Sequence, residues 1–391
     1  MWEILFWISV FIVFYTYLGY GLLIDILVRL KNLLLIKKNP DSETELPIVN
    51  FLIAAYNEAY IIEDKILNTL SLDYDRGKMT CLCVTDGSTD STNQIVKKFP
   101  EVSLYFQPDR RGKVNAVNRI IPHLSGDIII FSDANTMLNN EAIKNLVRHF
   151  ANPKVGMVAG EKTILRTIKE TASRGEGLYW RYESWLKKND AEIGSVIGAA
   201  GELFAIRRSL LETVPEDIII EDFYLSLRVI QKGYTIAYEP QAVAVETGSA
   251  SVKEEIKRKV RISAGGLQAI YRMAHMLNIF RYKMPAFQFL SHRVLRWTLT
   301  PLALPAIFIF NVALAIQENH WFYQLSLITQ ILLYSIALIK HYSGHKNKLM
   351  VIIYYFVIMN LSVYLGFIRL IKGKQSVVWE KSKRMVIDNN N

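Results

Sequence analysis

Cysteine is nearly absent: Cys81 and Cys83 are the only two among 391 residues, which excludes a disulfide framework. They flank Leu82 in a strand-like run, so both point to one face and read as small core residues. No Gly-x-Gly-x-x-Gly follows the first strand-like run, and there is no Walker-type glycine-rich loop. The dehydrogenase and P-loop readings therefore lose their main support. The seven histidines are scattered. His341 and His345 share a helical spacing, but no third ligand joins them. No Ser-His-Asp set is suggested. Acidic residues fall short of basic ones, 36 against 46, for a formal net charge of +10. No nucleic-acid motif accompanies the excess. Much of it flanks apolar runs instead: Arg29, Lys31, Lys37 and Lys38 after the first, and Lys372, Lys374, Lys381, Lys383 and Arg384 after the last. That placement points to membrane lipids as the partner, and not to nucleic acid.

What is abundant is apolar sequence, 51% of the chain, with a mean hydropathy of +0.16. It gathers at the two ends and leaves a middle, Thr44 to Ile270, of ordinary composition. Ile4–Val28 is long enough to cross a bilayer. It lacks the leading positive charges and small-residue cleavage site of a secretory signal, so it is expected to be an uncleaved anchor. The basic cluster after it places the following residues in the cytoplasm. Beyond the polar stretch Asn39–Pro47, short apolar runs alternate with helical periods. Strands are expected at Ile48–Ala54, Met79–Val84, Val102–Phe106, Asp127–Phe131, Val155–Ile164, Ala200–Ile206 and Tyr234–Val245. Helices are expected at Glu58–Leu70, Ser91–Phe99, Lys113–His123, Glu141–Phe150, Gly175–Asn189 and Asp222–Lys232. This alternation implies an α/β fold, a mostly parallel sheet with helices on both faces.

A basic helix follows Ser251. The stretch from Leu267 to Val294, with Arg272, Arg281 and Lys283, reads as helices lying on the membrane. Three spans are expected after it: Leu295–Ile316, Trp321–Ile339 and Met350–Ile371. The expected division is an anchor at 1–38, a cytoplasmic catalytic domain at 47–266, interfacial helices at 267–293, a membrane region at 294–372 and a polar tail at 373–391. With the middle inside, three spans leave the tail outside, whereas its basic residues call for the inside. A re-entrant span or a crossing by the interfacial stretch would reconcile the two.

Three strand-like runs end in polar residues: Ala55-Tyr56-Asn57-Glu58, Thr85-Asp86-Gly87-Ser88-Thr89-Asp90 and Ser132-Asp133-Ala134-Asn135. Ligands of open parallel sheets bind at the carboxyl ends of strands, so Glu58, Asp86 and Asp133 are aimed at one crevice. Each also has a plain reading, as a turn residue or a helix start. Three at one edge outweigh it.

These runs, with Arg111-Gly112-Lys113-Val114-Asn115-Ala116-Val117-Asn118 and Ile220-Glu221-Asp222, resemble the inverting family 2 glycosyltransferases of GT-A (Rossmann-like) fold. The membrane polysaccharide synthases of the hyaluronan, chitin, cellulose and poly-N-acetylglucosamine type are the nearest in pattern. The resemblance covers about Pro47 to Gly266. It implies that Ala54, Tyr56 and Glu58 line the nucleoside site, that Asp86 contacts the base and that Lys113 lies near the phosphates. It makes Asp133 and Asn135 the holders of Mg2+ or Mn2+, and Asp222, with Glu221, the catalytic pair. The motif is Asp-x-Asn where Asp-x-Asp is commoner, one negative charge fewer. Arg261 matches the arginine of the processive Gln-x-x-Arg-Trp motif, while Arg258 replaces its glutamine and Ile262 its tryptophan. Arg258 and Arg261 share one helix face and would meet diphosphate or anionic lipid. Gly201, in Gly198-Ala199-Ala200-Gly201-Glu202, would let the acceptor sugar approach the backbone. Tyr179, Trp180, Tyr182 and Trp185 would stack on sugar or, more commonly for such a cluster, pack a helix.

The implied function is an inverting transferase at the cytoplasmic face of the cell membrane, multi-pass. It would move a sugar from a nucleotide-sugar, a UDP-sugar by expectation, to a growing glycan. Transfer of one sugar to a lipid or lipid-linked acceptor is the alternative, and a non-catalytic nucleotide-binding subunit the distant one. A partner subunit or homo-oligomer is compatible with all three.

Overall fold

The computed structural model describes residues 1–34, 45–165, 172–249, 251–318, 320–343 and 347–373, and the side chains of 165 and 172–179 lie outside that description. Lys37, Lys38, His345, Lys374, Lys381, Lys383, Arg384 and most of the tail 373–391 fall outside the described residues, as does the side chain of Tyr179.

Eight strands form one sheet: β1 Val49–Ala55, β2 Met79–Asp86, β3 Val102–Gln107, β4 Ile128–Asp133, β5 Thr136–Leu138, β6 Val155–Leu165, β7 Leu203–Arg207 and β8 Thr235–Thr247. Their order is β3-β2-β1-β4-β7-β6-β8-β5. The central strands are largely apolar because both faces are covered. Alternation sorts their side chains. Phe51, Ile53, Cys81, Cys83, Ile128 and Ile130 enter one core, and Leu52, Leu82, Val84, Ile129 and Phe131 enter the other. The two cysteines are free thiols in the first of these.

The half from β3 to β4 is wholly parallel. Beyond it β7 runs antiparallel to both β4 and β6, β6 and β8 are parallel, and the short β5, not expected from sequence, pairs antiparallel with β8. The reversal of β7 matters for the site. Leu203 pairs with Ser132, so the segment entering β7 crosses the carboxyl edge of the sheet where β4 delivers Asp133. The expected strand from Ala200 starts only at Leu203, because Ala200–Glu202 stay irregular at that edge.

Four helices are long and apolar enough to cross a membrane: Trp2–Leu34, Leu299–Gln317, Trp321–Ser343 and Lys348–Ile371. The first packs beside the second, with Phe6 against Leu314 and Thr300 Oγ1 donating to Thr16 Oγ1 at 2.9 Å. Its latter half reaches the α/β unit, where Tyr20 and Ile24 pack on Leu186 of the helix Ala172–Ile193. A Cβ on Gly21 would stand 2.7 Å from the Trp185 ring. Tyr182 and Trp185 are therefore helix-packing aromatics. The last helix runs beside the helix Val252–Arg272, and a Cβ on Gly366 would come within 2.8 Å of the Ala264 nitrogen.

The stretch expected on the membrane surface divides in two. Phe280, at 92% exposure, and its exposed neighbour Ile279 stand beside the exposed Arg281 and Lys283, as a surface segment should. Gln288, Ser291, His292, Arg293 and Arg296 are instead buried. Arg293 and Arg296 lie 2.8 and 2.9 Å from the Glu183 carboxylate, and His292 Nδ1 lies 2.6 Å from Asp190. Buried charges persist where paired, and these bolt the helical region to the sheet's helical cover.

Candidate active site

The carboxyl ends of β1, β2 and β4 bring the sequence-predicted residues to one edge. Register places Ala55 opposite Thr85 and Ala54 opposite Asp133. A pocket of about 330 Å³ opens there, lined by Ala54, Tyr56, Asp86 and Lys113 together with Arg110 and Gly112.

The polar motif residues knit this rim. Asn57, at φ 52°, accepts the Thr89 N–H at 2.8 Å and donates its own N–H to Ser88 Oγ at 3.1 Å. The Glu58 N–H donates to Thr92 Oγ1 at 2.9 Å, and the Glu58 residue is buried. Asp86 accepts the backbone N–H groups of Arg111 and Gly112 at 3.0 and 2.6 Å. Its carboxylate thus shapes the 110–112 loop as well as lining the pocket. Two glycines make the turn possible. Gly87 has φ 64°, and a Cβ there would meet the Arg110 backbone at 2.8 Å; Gly112 has φ 95° at the start of the helix Lys113–Ile120. Arg110, unremarked in the sequence, lies 3.9 Å over the Tyr56 ring, a cation–π contact at the pocket mouth.

Deeper in, Lys113 Nζ donates to Asp133 Oδ1 at 2.8 Å and lies 2.8 Å from Glu221 Oε1. Burial opposes the Lys113 charge, but Asp133 and Glu221 outweigh it and raise its pKa. Glu221 is held below the ordinary range: burial alone would raise it, and Lys113 reverses that. Burial raises Asp133, with Glu202 and Glu221 adding to the effect and Lys113 offsetting part of it. Asp222 is pushed up to about 7, first by burial and then by Glu221, with Lys113 opposing and Glu202 adding. Its Oδ1 accepts the Phe223 N–H at 2.8 Å. A Cβ on Gly201 would stand 3.1 Å from Asp222 Oδ2 and 3.5 Å from Lys113 Nζ. The bare Gly201 backbone therefore borders both groups.

Arg261 lies within electrostatic reach of Glu221, Asp222 and Asp133. Arg258, on the same helix, lies beside carboxylates: Glu255 at 3.2 Å, Glu246 at 3.7 Å and Glu202 at 4.0 Å. Lys162 pairs with Glu202 and Glu246, and the Lys162, Lys187 and Lys259 ammoniums lie 4.8, 5.8 and 5.5 Å from the Trp180 ring. Glu202 was not singled out as a site residue; its only signal was adjacency to the glycine-alanine run.

Among the described residues no three His, Cys, Asp or Glu side chains gather as a metal cage. A divalent cation could rest on the Asp133 carboxylate, half-buried Asn135 and substrate oxygens, a hard-oxygen set suited to Mg2+ or Mn2+. The edge favours positive charge, since Asp133 already holds an ammonium at 2.8 Å.

Comparisons with known proteins bear on the family and the fold. Residues 51–214 match the family model of Glycosyl transferase family 2. The poly-beta-1,6-N-acetyl-D-glucosamine synthase of Staphylococcus aureus (strain COL) is 29% identical over 245 residues, covering 61% of this chain and 59% of the relative. The synthase of the same name from Staphylococcus epidermidis is 27% identical over 248 residues, covering 62% and 59%. The chain thus spans 59% of the length of the curated relatives it matches. Among solved structures, the mannosyltransferase PcManGT from Pyrobaculum calidifontis, in complex with GDP-Man and Mn2+, aligns with a TM-score of 0.72 at 21% identity, over 96% of this chain and 100% of that one. That likeness establishes the fold. Motifs, sheet and the family-model match over residues 51–214 point the same way, and the fold is GT-A-like.

Proposed function

We propose that the protein is an inverting glycosyltransferase that moves a sugar from a nucleotide-sugar, its nucleoside diphosphate the leaving group, to a glycan acceptor at the membrane, in polysaccharide synthesis. The observation that carries this is Asp222, a buried carboxylate raised to about 7, against the glycine backbone where an acceptor can approach and beside the Lys113–Asp133 pair. A base is most useful when its pKa lies near the working pH. Asp222 accepts the acceptor's hydroxyl proton. The hydroxyl oxygen bonds to the anomeric carbon from one face as the bond to the diphosphate oxygen breaks on the other, which inverts the centre. Lys113 and Arg261 are placed to meet the charge that develops on the departing diphosphate. A Mg2+ or Mn2+ ion on Asp133 and Asn135 would neutralise the same charge. Glu221 keeps Lys113 charged and adds to the repulsion that keeps Asp222 basic. Ala54, Tyr56, Glu58 and Asp86 form the nucleoside end.

The relatives' name supports a polysaccharide product, and the four apolar helices support a multi-pass membrane protein. The catalytic domain, residues 47–266, lies in the cytoplasm on this reading, by the basic residues after the first helix. The alternative, one sugar added to a lipid-linked acceptor, is favoured by Arg258 and Ile262 in place of the processive Gln and Trp. The deciding experiment is nucleotide release by detergent-solubilised protein across UDP-sugars and GDP-mannose with Mg2+ or Mn2+, and radiolabelled product sized on a gel. Turnover of one donor, abolished by chelator and by Asp222→Asn, is expected. A ladder of products means a polymer, and a single band means the alternative. No turnover of any donor overturns the catalytic reading.

A further inference from the structure

The helix Ile62–Leu70 buries Ile62, Lys65, Ile66 and Thr69, one stripe at helical spacing. Lys65 is the anomaly in that stripe. It is 0% exposed, and burying an ammonium costs far more than burying the leucine that would fit the same position. Its Nζ donates to Ser132 Oγ and to the Thr136 carbonyl, both at 2.7 Å, and the Phe51 ring lies 5.4 Å away. Ser132 and Thr136 bracket the turn that carries Asp133 and Asn135. Their hydroxyls are 3.1 Å apart, Thr136 Oγ1 donates to the Asp133 carbonyl at 2.9 Å, and Ser132 Oγ donates to the Glu202 carbonyl at 3.3 Å. One side chain thus closes the turn from behind and ties it to the segment that enters β7. Burial pushes the Lys65 pKa down to about 7, and the neutral amine would still supply both N–H donors.

We propose that Lys65 is a positioning residue for the divalent-cation site, clamping the Ser132–Thr136 turn so that Asp133 and Asn135 keep the geometry the cation requires. Lys113 touches the Asp133 carboxylate directly; Lys65 reaches it through the turn, with the Asp133 charge close enough to favour the Lys65 ammonium. The inference rests on the nucleotide-sugar reading above. Groups that orient a metal's ligands are worth 10–100-fold in metal affinity or activity when lost.

The test is isothermal titration of full-length, detergent-solubilised protein with UDP or GDP, whichever the wild type binds, at increasing Mn2+, alongside the free nucleoside, which has no diphosphate for the metal to hold. Lys65→Met is expected to raise the half-saturating Mn2+ concentration about 10–100-fold while nucleoside binding stays within twofold. Lys65→Gln keeps an N–H donor on a shorter arm and should fall between; it carries the test if the methionine variant does not fold. A folded variant with the wild-type Mn2+ response overturns the proposal, as does a loss confined to thermal stability, which would make Lys65 a core residue only. A wild type that binds no nucleotide with Mn2+ overturns the nucleotide-sugar reading and this inference with it.

Discussion

At the scale of single residues, environment separates two adjacent acids. Glu221 is neutralised by Lys113 and held low, while Asp222 is raised to about 7. Only the ionised Asp222 can take a proton, so activity should climb with pH through about 7 and level off above it, read as kcat/KM against pH. Asp222→Asn should cost about 10²–10⁴-fold in kcat and flatten that rise, with nucleotide binding kept. Gly201 belongs to the same argument. A Cβ there would already stand 3.1 Å from Asp222 Oδ2, so Gly201→Val should depress transfer to acceptor while nucleotide binding by titration stays near wild type. Transfer at the wild-type rate would remove Gly201 from the acceptor path.

At the scale of elements, the carboxyl edge works because three parallel strands end where one reversed strand begins. Asp86 and Asp133 were legible as polar residues closing apolar runs, and Lys113, Glu221 and Asp222 as parts of motifs. Glu202 and Arg110 were not, because their places depend on which strand lies beside which. Lys65 carries a signal in the sequence, a lysine within the apolar stripe of its helix. The buried cluster of Glu183 with His292, Arg293 and Arg296 was hidden by sequence separation: Glu183 lies more than a hundred positions before the other three and meets them only after folding. Glu183→Gln leaves two guanidiniums without their carboxylate. Breaking a buried pair costs about 3–5 kcal/mol, so the midpoint of thermal unfolding in detergent should fall. An unchanged midpoint would mean that water already solvates the cluster.

At the scale of the whole molecule, the apolar helices and the α/β unit are one packed body. The helix Trp2–Leu34 gives Tyr20, Gly21 and Ile24 to the surface formed by Tyr182, Trp185 and Leu186. Deleting residues 1–34 should therefore do more than detach an anchor. It exposes that aromatic surface, and exposed apolar patches promote aggregation. The truncated chain should elute as aggregate in size-exclusion chromatography even in detergent, where the full chain elutes as a single species. A monodisperse truncated protein with the full chain's thermal midpoint would show the first helix to be a tether only.

The sequence by itself determined the class of this protein. Largely apolar strands require a sheet covered on both faces, the long apolar runs give helices able to cross a membrane, and Asp86 and Asp133 fall where parallel strands end. These are local properties, set by side-chain period and composition along short stretches of chain. Only the tertiary structure decided which charges meet: Lys113 between Asp133 and Glu221, Arg258 beside Glu255, Glu246 and Glu202, Arg261 within reach of Glu221 and Asp222, and Lys65 at the Asp133 turn. Electrostatic energy depends on distance and burial rather than on sequence separation, so those assignments exist only once the strands are laid side by side.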